Sequence, residues 1–141
     1  MLLVWDKRVF EKVDSAIRRF SVNVLFKGVV DDFVWACSGV YGPNEDSQRG
    51  ALWEELSRMH SRWNTAWCVF GDFNIIRYPS ERLGCETLSP AMFAFSDFIE
   101  GLHLLDLEIR GQIVCQELIE PWHRWIGWNT LVMCLKGFSL V

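Results

Sequence analysis

The sequence contains no apolar run approaching the roughly 18 residues that a membrane-spanning helix needs. Its opening stretch, "MLLVWDKRVF", reaches a charge at Asp6. A secretion signal requires a longer uncharged apolar segment close to the N-terminus. We therefore expect a soluble, intracellular protein of the nucleus or the cytoplasm, with no membrane partner.

Closely spaced cysteines are also missing. The sequence has five cysteines, an odd number, and no C-x-x-C pair. This spacing gives no indication of a disulfide framework or of the usual zinc and redox motifs. Reduced and mostly buried thiols are expected at Cys37, Cys68, Cys85, Cys115 and Cys134.

Positive charge is not in excess. The formal net charge is -4 and the sequence pI is about 5.3. A protein that attracts nucleic acid through its overall field carries the opposite sign. If nucleic acid is a substrate, a local site must supply the affinity. With 141 residues, half of them hydrophobic, one compact domain is expected.

The patterning of the first half predicts a β-hairpin and a helix. Residues 19–27 and 33–41 alternate between apolar and polar side chains, and the turn-prone "GVVDD" separates them. Apolar residues at helical spacing then predict a helix over about 47–62, with Asp46 or Ser47 as its N-cap. These apolar residues are Leu52, Leu56, Met59 and Trp63.

The next segments predict one buried strand and a second helix. Residues 65–73 are almost wholly apolar, as in a strand buried on both faces. Residues 74–90 have the composition of a loop. Ser89 followed by Pro90 predicts the start of a helix over about 90–102. The order strand, strand, helix, strand, helix predicts a layered α/β or α+β domain.

Polar residues interrupt the apolar stretch "WCVFGDFNII", residues 67–76. A strand places alternate side chains on one face, so we expect Asp72 and Asn74 to share one face while Phe73 points into the core. A carboxylate beside an amide can orient a water or a metal ion and contact a phosphate oxygen. The alternative is an Asx turn at a strand end, because Asp and Asn commonly form turns.

A second polar segment, "SGVYGPN", closes the strand predicted over 33–41. Tyr41 and Asn44 lie just beyond its apolar part, where a phenol and a carboxamide could both reach a bound phosphate. Taken alone, the segment favours an ordinary Gly-Pro-Asn turn capped by a core tyrosine.

Together and in this order, the two segments resemble the endonuclease/exonuclease/phosphatase family. Its members carry a Tyr-x-Pro-Asn-like segment and later a Gly-Asp-(Phe/Leu)-Asn segment. The sequence is most similar to one branch, the endonuclease domain of plant non-LTR (LINE-type) retrotransposons, and the resemblance covers residues 1 to about 107. The segments that carry it are "LLVWDKRV", "GVYGPN", "LWEEL", "WCVFGDFNIIRYPSER" and "FSDFIEGLHLLDL".

The resemblance implies a four-layer α/β sandwich that hydrolyses phosphodiester bonds in DNA with Mg²⁺ or Mn²⁺. In this family pattern Asp72 orients or deprotonates the attacking water and contributes to the metal site. Asn74 is its catalytic partner and helps to hold phosphate or metal. Tyr41 matches a phosphate-contacting catalytic residue, and Asn44 matches a substrate-binding residue.

Three further parts of the family pattern are missing from the sequence. These are a Gln-Glu-Thr-like segment whose Glu is the principal metal ligand, an Arg-(Ile/Val)-Asp segment, and a closing Ser-Asp-His segment. The sequence begins beyond the expected place of the first, and none of His60, His103 and His123 follows an Asp. We therefore expect an inactive fragment of a Mg²⁺-dependent DNA endonuclease, truncated at both ends. The alternative is a non-catalytic remnant or a weak nucleic-acid-binding or protein-binding module.

Residues 108–141 do not resemble the family, and we expect a divergent, poorly structured tail. If "QELIEPW", residues 116–122, is encoded CAA GAG TTG ATA GAG CCT TGG, reading from the third base gives Arg-Val-Asp-Arg-Ala-Leu, which matches a missing segment. This match suggests a frameshift between about Asp106 and Gln116. The alternative interpretation of "PWHRWIGW" is a membrane-surface or partner-binding patch, because its tryptophans recur every third residue.

Overall fold

The computed structural model describes residues 3–106 and 131–132. This part of the chain forms strands and two helices, with a short 3-10 turn at Pro79–Glu81. The strands are β1 (Phe10–Ile17), β2 (Ser21–Gly28), β3 (Val34–Tyr41), β4 (Ala66–Asp72), β5 (Leu105–Asp106) and β6 (Leu131–Val132). The helices are α1 (Asp46–Trp63) and α2 (Pro90–Gly101).

All described strands belong to one mixed sheet, in the order β1-β2-β3-β4-β6-β5. Strands β1, β2 and β3 form an antiparallel meander, whereas β4 follows α1 and pairs parallel with β3. Strands β5 and β6 have two residues each, so the sheet has four full-length strands. With its two helices, the described region is of the α+β class. A second β layer is not part of it and stays a prediction.

The predicted hairpin and both predicted helices are confirmed. The Ser89 hydroxyl caps α2 by accepting a hydrogen bond from the Met92 amide at 3.3 Å. The prediction of Asp46 or Ser47 as the N-cap of α1 is wrong. Glu45 occupies that position without a capping hydrogen bond from its side chain.

Strand β1 was not predicted, because its sequence "FEKVDSAI" lacks regular alternation. Only Phe10 and Ala16 are buried in it. A register shift between Lys12 and Asp14 also changes which side chains face each side of the sheet. Such a bulged, charged strand is typical of a sheet edge, and β1 lies at the edge of this sheet.

Both helices cover the same face of the sheet and form the main core. The buried side chains of α1 and α2 meet those of β3 and β4 there. Neither helix in the described region has the length and apolar character needed to cross a bilayer. The core residues are Phe20, Ala36, Val40, Leu52, Leu56, Trp67, Val69, Phe73, Phe95, Phe98, Ile99 and Leu104.

The opposite face of the sheet carries a second apolar cluster. It is built on five buried residues: Phe10, Val24, Phe26, Trp35 and Cys37. The segment before β1 packs on this cluster, and the ring centroids of Trp5 and Phe26 lie 5.3 Å apart. Strand β4 is therefore covered on both sides. Its helix-side residues are buried, and its other side is half-buried.

Most of the expectations for the C-terminal tail fall outside the described residues. Only Leu131–Val132 of the tail is described, as β6 between β4 and β5. The frameshift, the tryptophan patch and the domain boundary near residue 107 therefore stay predictions. Of the five cysteines, Cys37 is buried, and Cys68 and Cys85 are half-buried. Cys115 and Cys134 are not described.

A chain of buried hydrogen bonds crosses the sheet beneath α1. The Trp67 indole donates to the Ser38 hydroxyl at 2.8 Å, and that hydroxyl donates to the Asn23 side-chain oxygen at 2.5 Å. The Asn23 amide in turn donates to the Ala16 carbonyl and the Ser21 hydroxyl, at 3.0 and 2.8 Å. The chain of hydrogen bonds thus links four strands, and Asn23 joins three of them directly. Since Asn23 is fully buried, its direct partners have no water to replace it.

We predict that Asn23→Ala lowers the free energy of unfolding by about 2–4 kcal/mol, because it leaves buried polar groups unsatisfied and opens a cavity. Urea denaturation followed by tryptophan fluorescence measures the change. Ser61→Ala is the control, because the exposed Ser61 hydroxyl donates only to a carbonyl of its own helix. An equal effect of both substitutions would contradict the role assigned to Asn23.

Candidate active site at the ends of β3 and β4

The two polar segments meet because β3 and β4 run parallel and in register. Tyr41, the last residue of β3, pairs with Asp72, the last residue of β4. Parallel strands end at the same edge of a sheet, and paired residues direct their side chains to the same face. That face is the one opposite the helices, because Cys37 and Trp35 alternate with the helix-side residues of β3.

Two hydrogen bonds join the loops that follow these strands. The Gly42 amide donates to the Asp72 carbonyl at 2.6 Å. The Asn74 side-chain nitrogen donates to the Gly42 carbonyl at 2.6 Å. Because a carbonyl can only accept, this contact fixes the orientation of the Asn74 amide and turns its Oδ1 atom away from Gly42. Each loop therefore restrains the other.

Glycine is required at two positions for this close approach. A Cβ atom on Gly42 would lie 2.4 Å from the Phe73 carbonyl oxygen, and one on Gly71 would lie 2.0 Å from that of Val40. Gly71 also has a φ of +133°, which side chains other than hydrogen rarely allow. The glycines of both motifs thus let the two backbones touch.

Asp72 and Asn74 form an Asx turn, which was the alternative interpretation of the sequence. The Asn74 amide donates to Asp72 Oδ1 at 2.8 Å, and Asn74 has a φ of +51°. The inference that both side chains share a face through strand spacing is wrong, because β4 ends at Asp72. The turn itself keeps Asp72 and Asn74 at one edge. It leaves Asp72 Oδ2 and Asn74 Oδ1 without a hydrogen bond among the described residues.

Phe73 anchors this turn in the core, as the sequence predicts. Its side chain is 4% exposed, and its ring centroid lies 5.3 Å from that of Phe95 and 6.3 Å from that of Trp53. Because the residue between the two polar ones is fixed by packing, the position of the turn is fixed as well.

Tyr41 and Asn44 point to solvent beside this turn. Tyr41 is 61% exposed, so the alternative of a core tyrosine is wrong. Asn44 is also exposed, and its side chain has no hydrogen-bond partner in the described part of the chain. The Tyr41 phenol, the Asp72 carboxylate and the side-chain amides of Asn44 and Asn74 therefore lie at one edge of the sheet. Each has a polar atom that is available to bind a ligand.

Arg49, on helix α1, binds both of these loops. This role was not predicted from the sequence. Its buried guanidinium donates to the Phe73 carbonyl at 3.2 Å and to the Asn44 carbonyl at 3.3 Å. Its Nε donates to Asp46 at 2.8 Å. The signal was present, because Arg49 lies three residues before Leu52 on the apolar stripe of α1. A charged residue on such a stripe needs buried partners.

The described residues supply an incomplete set of donors for a divalent cation. Mg²⁺ in proteins is held by one or two carboxylates together with water and phosphate oxygens. Here Asp72 supplies one carboxylate and Asn74 one amide oxygen. Nowhere in residues 3–106 do three or more His, Cys, Asp or Glu side chains gather as metal ligands. His60 contacts Trp67 near the start of β4, far from Asp72. This donor set fits a weakly held, largely hydrated cation.

A comparison of the chain with models of protein families and with curated protein sequences finds no match. The geometry of the strand ends is therefore the basis for assigning a function.

We predict that Arg49→Met lowers the free energy of unfolding by about 2–3 kcal/mol, because the Phe73 and Asn44 carbonyls lose a charged donor. Hydrogen exchange at the Gly42 amide should also become faster, since the loops lose their common restraint. Arg58→Met is the matched control, because Arg58 is exposed and paired only with Glu54 on the helix surface. Unchanged exchange at Gly42 in Arg49→Met would contradict a role in holding the two loops.

Proposed function

We propose that the chain is part of an endonuclease/exonuclease/phosphatase-type domain from a LINE-like retrotransposon. Its inherited chemistry is metal-dependent hydrolysis of phosphodiester bonds in DNA. Within this proposal, the sheet described above is one β layer of a four-layer α/β sandwich. The 141-residue chain alone has no measurable turnover.

The observation that carries the proposal is the meeting of the two motif segments at one edge. Tyr41 and Asp72, 31 positions apart in sequence, become paired neighbours, and Asn74 binds the Gly42 carbonyl directly. An accidental sequence resemblance would not require the two segments to share a location. A common location is what a site assembled from both segments needs.

The side chains at this edge suit the handling of a phosphate diester. Asp72 has one carboxylate oxygen available to accept a proton from an attacking water or to orient it. The Tyr41 hydroxyl and the Asn44 amide can donate hydrogen bonds to phosphate oxygens. Asn74 presents Oδ1, an acceptor, which suits a cation better than a phosphate. When bound, Mg²⁺ or Mn²⁺ supplies positive charge that polarises the phosphate.

The expected absence of turnover follows from how catalytic groups cooperate. In the described residues, Asp72 does not belong to any group of three or more His, Cys, Asp or Glu side chains that could hold a metal ion. Catalytic groups that act as a unit lose most of their effect when one is missing. A lone Asp-Asn pair should therefore bind a cation weakly and leave the rate of hydrolysis close to that in buffer.

The Asx turn favours a second candidate function without catalysis. Asp72 Oδ1 accepts a hydrogen bond from the Asn74 backbone amide, and the Asn74 side chain donates one to the Gly42 carbonyl. Both hydrogen bonds are typical of a purely structural turn. A remnant that binds nucleic acid or protein weakly would need no more than this. The two candidates differ in whether Asp72 is essential in a protein that also carries the other catalytic segments of the family pattern.

The test compares the 141-residue chain with an extended protein that carries a family-type Gln-Glu-Thr segment upstream and the Arg-(Ile/Val)-Asp and Ser-Asp-His segments downstream. Plasmid nicking is measured with Mg²⁺, with Mn²⁺ and with a chelator. We expect metal-dependent nicking by the extended protein alone. Asp72→Asn should reduce it by roughly 10²- to 10⁴-fold, the usual contribution of an acid or base group.

Asp97→Asn in the extended protein is the control, because Asp97 is an exposed residue of α2. It removes one carboxylate without changing the strand ends. Equal nicking by the short and the extended proteins would show that the catalytic residues are misplaced. Full activity of Asp72→Asn would favour the non-catalytic candidate for this edge.

A further inference from the structure

Some of the described arginines and lysines form ion pairs with carboxylates, and others do not. Between residues 3 and 106 there are eleven of them, and six form ion pairs with carboxylates. The other five show no such pair within the described region. They are Lys7, Lys12, Arg18, Arg19 and Arg82. Only Arg18 and Arg19 are adjacent, so the turn between β1 and β2 is the place where unpaired positive charge is concentrated.

This turn lies beside the candidate site. Strand β2 begins at Ser21, which pairs with Val40, and the Tyr41 amide donates to the Phe20 carbonyl at 2.9 Å. The arginine turn, Tyr41 and Asp72 are therefore consecutive along one edge of the sheet. Adjacent strands are about 4.8 Å apart, which places Phe20 about 10 Å from Asp72.

Arg19 is held in place without losing its charge. Its guanidinium donates to the Gln48 side-chain oxygen at 2.8 Å and lies 4.8 Å from the centre of the Phe20 ring. Both direct partners are neutral, and Gln48 in turn donates to the Glu45 carboxylate at 2.9 Å. An arginine restrained in this way loses less conformational entropy when it binds an anion, and its fork of donors matches a phosphate.

One carboxylate lies under the turn and has other partners. Glu55 accepts hydrogen bonds from the Ser21 hydroxyl at 2.6 Å and from the Phe20 amide at 3.2 Å. It forms no ion pair with Arg18 or Arg19. Glu55 therefore fixes the backbone of the turn, and Arg18 and Arg19 are left without an ion pair in the described region.

We propose that the Arg18–Arg19 turn binds backbone phosphates of the DNA strand whose phosphodiester lies at Asp72. This inference rests on the proposed function, and it adds a binding element to that site. The separation of about 10 Å between the backbone at Phe20 and Asp72 is short enough for one DNA strand to reach both. Tyr41 ends the strand between the turn and Asp72, and its exposed ring can contact a sugar or base on the face opposite α1. Arg19 lies on the α1 side, so the DNA strand would cross the edge of the sheet between them.

The net negative charge of the chain explains why DNA binding would need the Arg18–Arg19 turn. The chain carries a net charge of -4, so its overall field repels a polyanion. Binding must then come from a local group of cations close to the reacting phosphate. The turn provides two in adjacent positions, on a backbone fixed by Glu55 and by the pairing with β3.

The test measures binding of a short fluorescent DNA duplex to the full chain by anisotropy, in EDTA and over a range of salt concentrations. Each neutralised phosphate contributes about 0.9 to the slope of log K against log salt. We expect R18Q/R19Q to reduce the slope by about 1.8 and to weaken binding about tenfold at low salt. R18K/R19K should retain most of the slope, because it keeps both charges.

K7Q/K12Q is the matched control. It removes the same charge from two exposed lysines that also lack ion pairs in the described region, both away from the candidate edge. We expect it to leave the slope unchanged. Equal losses in both double variants, an unchanged slope in R18Q/R19Q, or no binding by the unmodified chain at low salt would each overturn the inference.

Metal-free binding separates this inference from the proposed function. If R18Q/R19Q weakens binding but the extended protein never nicks DNA, the binding element stands and the nuclease proposal fails. If the extended protein nicks DNA and R18Q/R19Q binds normally, the nuclease proposal stands and the binding element fails.

Discussion

The hydrogen bond from the Gly42 amide to the Asp72 carbonyl holds the ends of two parallel strands together, and the candidate site depends on it. Parallel pairing brings Tyr41 beside Asp72, but the chain must then leave both strands without separating them. Gly42 and Gly71 permit that contact because neither has a Cβ atom. Arg49 and Asn74 then satisfy the carbonyls that the two departing loops present.

The site is exposed, but the residues that position it are buried. Val40 and Phe73 belong to the helix-side core, and the Asn23 network fixes the neighbouring strands. Polar groups that must meet a ligand are thus carried on segments whose packing leaves little freedom. Such a division between a rigid scaffold and exposed loops is the usual arrangement in enzymes and binding proteins. The scaffold is stabilised by its own packing and hydrogen bonds, independently of any ligand.

Patterning alone predicted the regular elements with strong periodicity. The hairpin of β2 and β3, both helices and β4 follow from alternation, helical spacing and an apolar run. Strand β1 was missed because a bulged edge strand has little burial to impose a pattern. The N-cap of α1 was misassigned because Asp46 is already the first residue of the helix and its carboxylate accepts a hydrogen bond from Arg49, one turn later. Within the site, the parallel register of β3 and β4 was not predicted from spacing, and the resemblance alone brought Tyr41 near Asp72. Strand alternation gave the wrong orientation for Asn74 because β4 ends at Asp72, one residue before the predicted end of the strand. There the Asp72 side chain accepts a hydrogen bond from the Asn74 amide and forms an Asx turn.

The central claim is that the segments 41–44 and 72–74 form one site for a cation and a phosphate. The most direct measurement is a titration of the ¹⁵N-labelled chain with Mn²⁺, whose paramagnetism broadens nearby amide signals even when binding is weak. Our account predicts that the amides of Tyr41, Gly42, Asp72 and Asn74 broaden together and first, and that Asp72→Asn removes this effect. Broadening that begins elsewhere, for example at the acidic Asp31–Asp32 turn, or that persists unchanged in Asp72→Asn, would contradict the account.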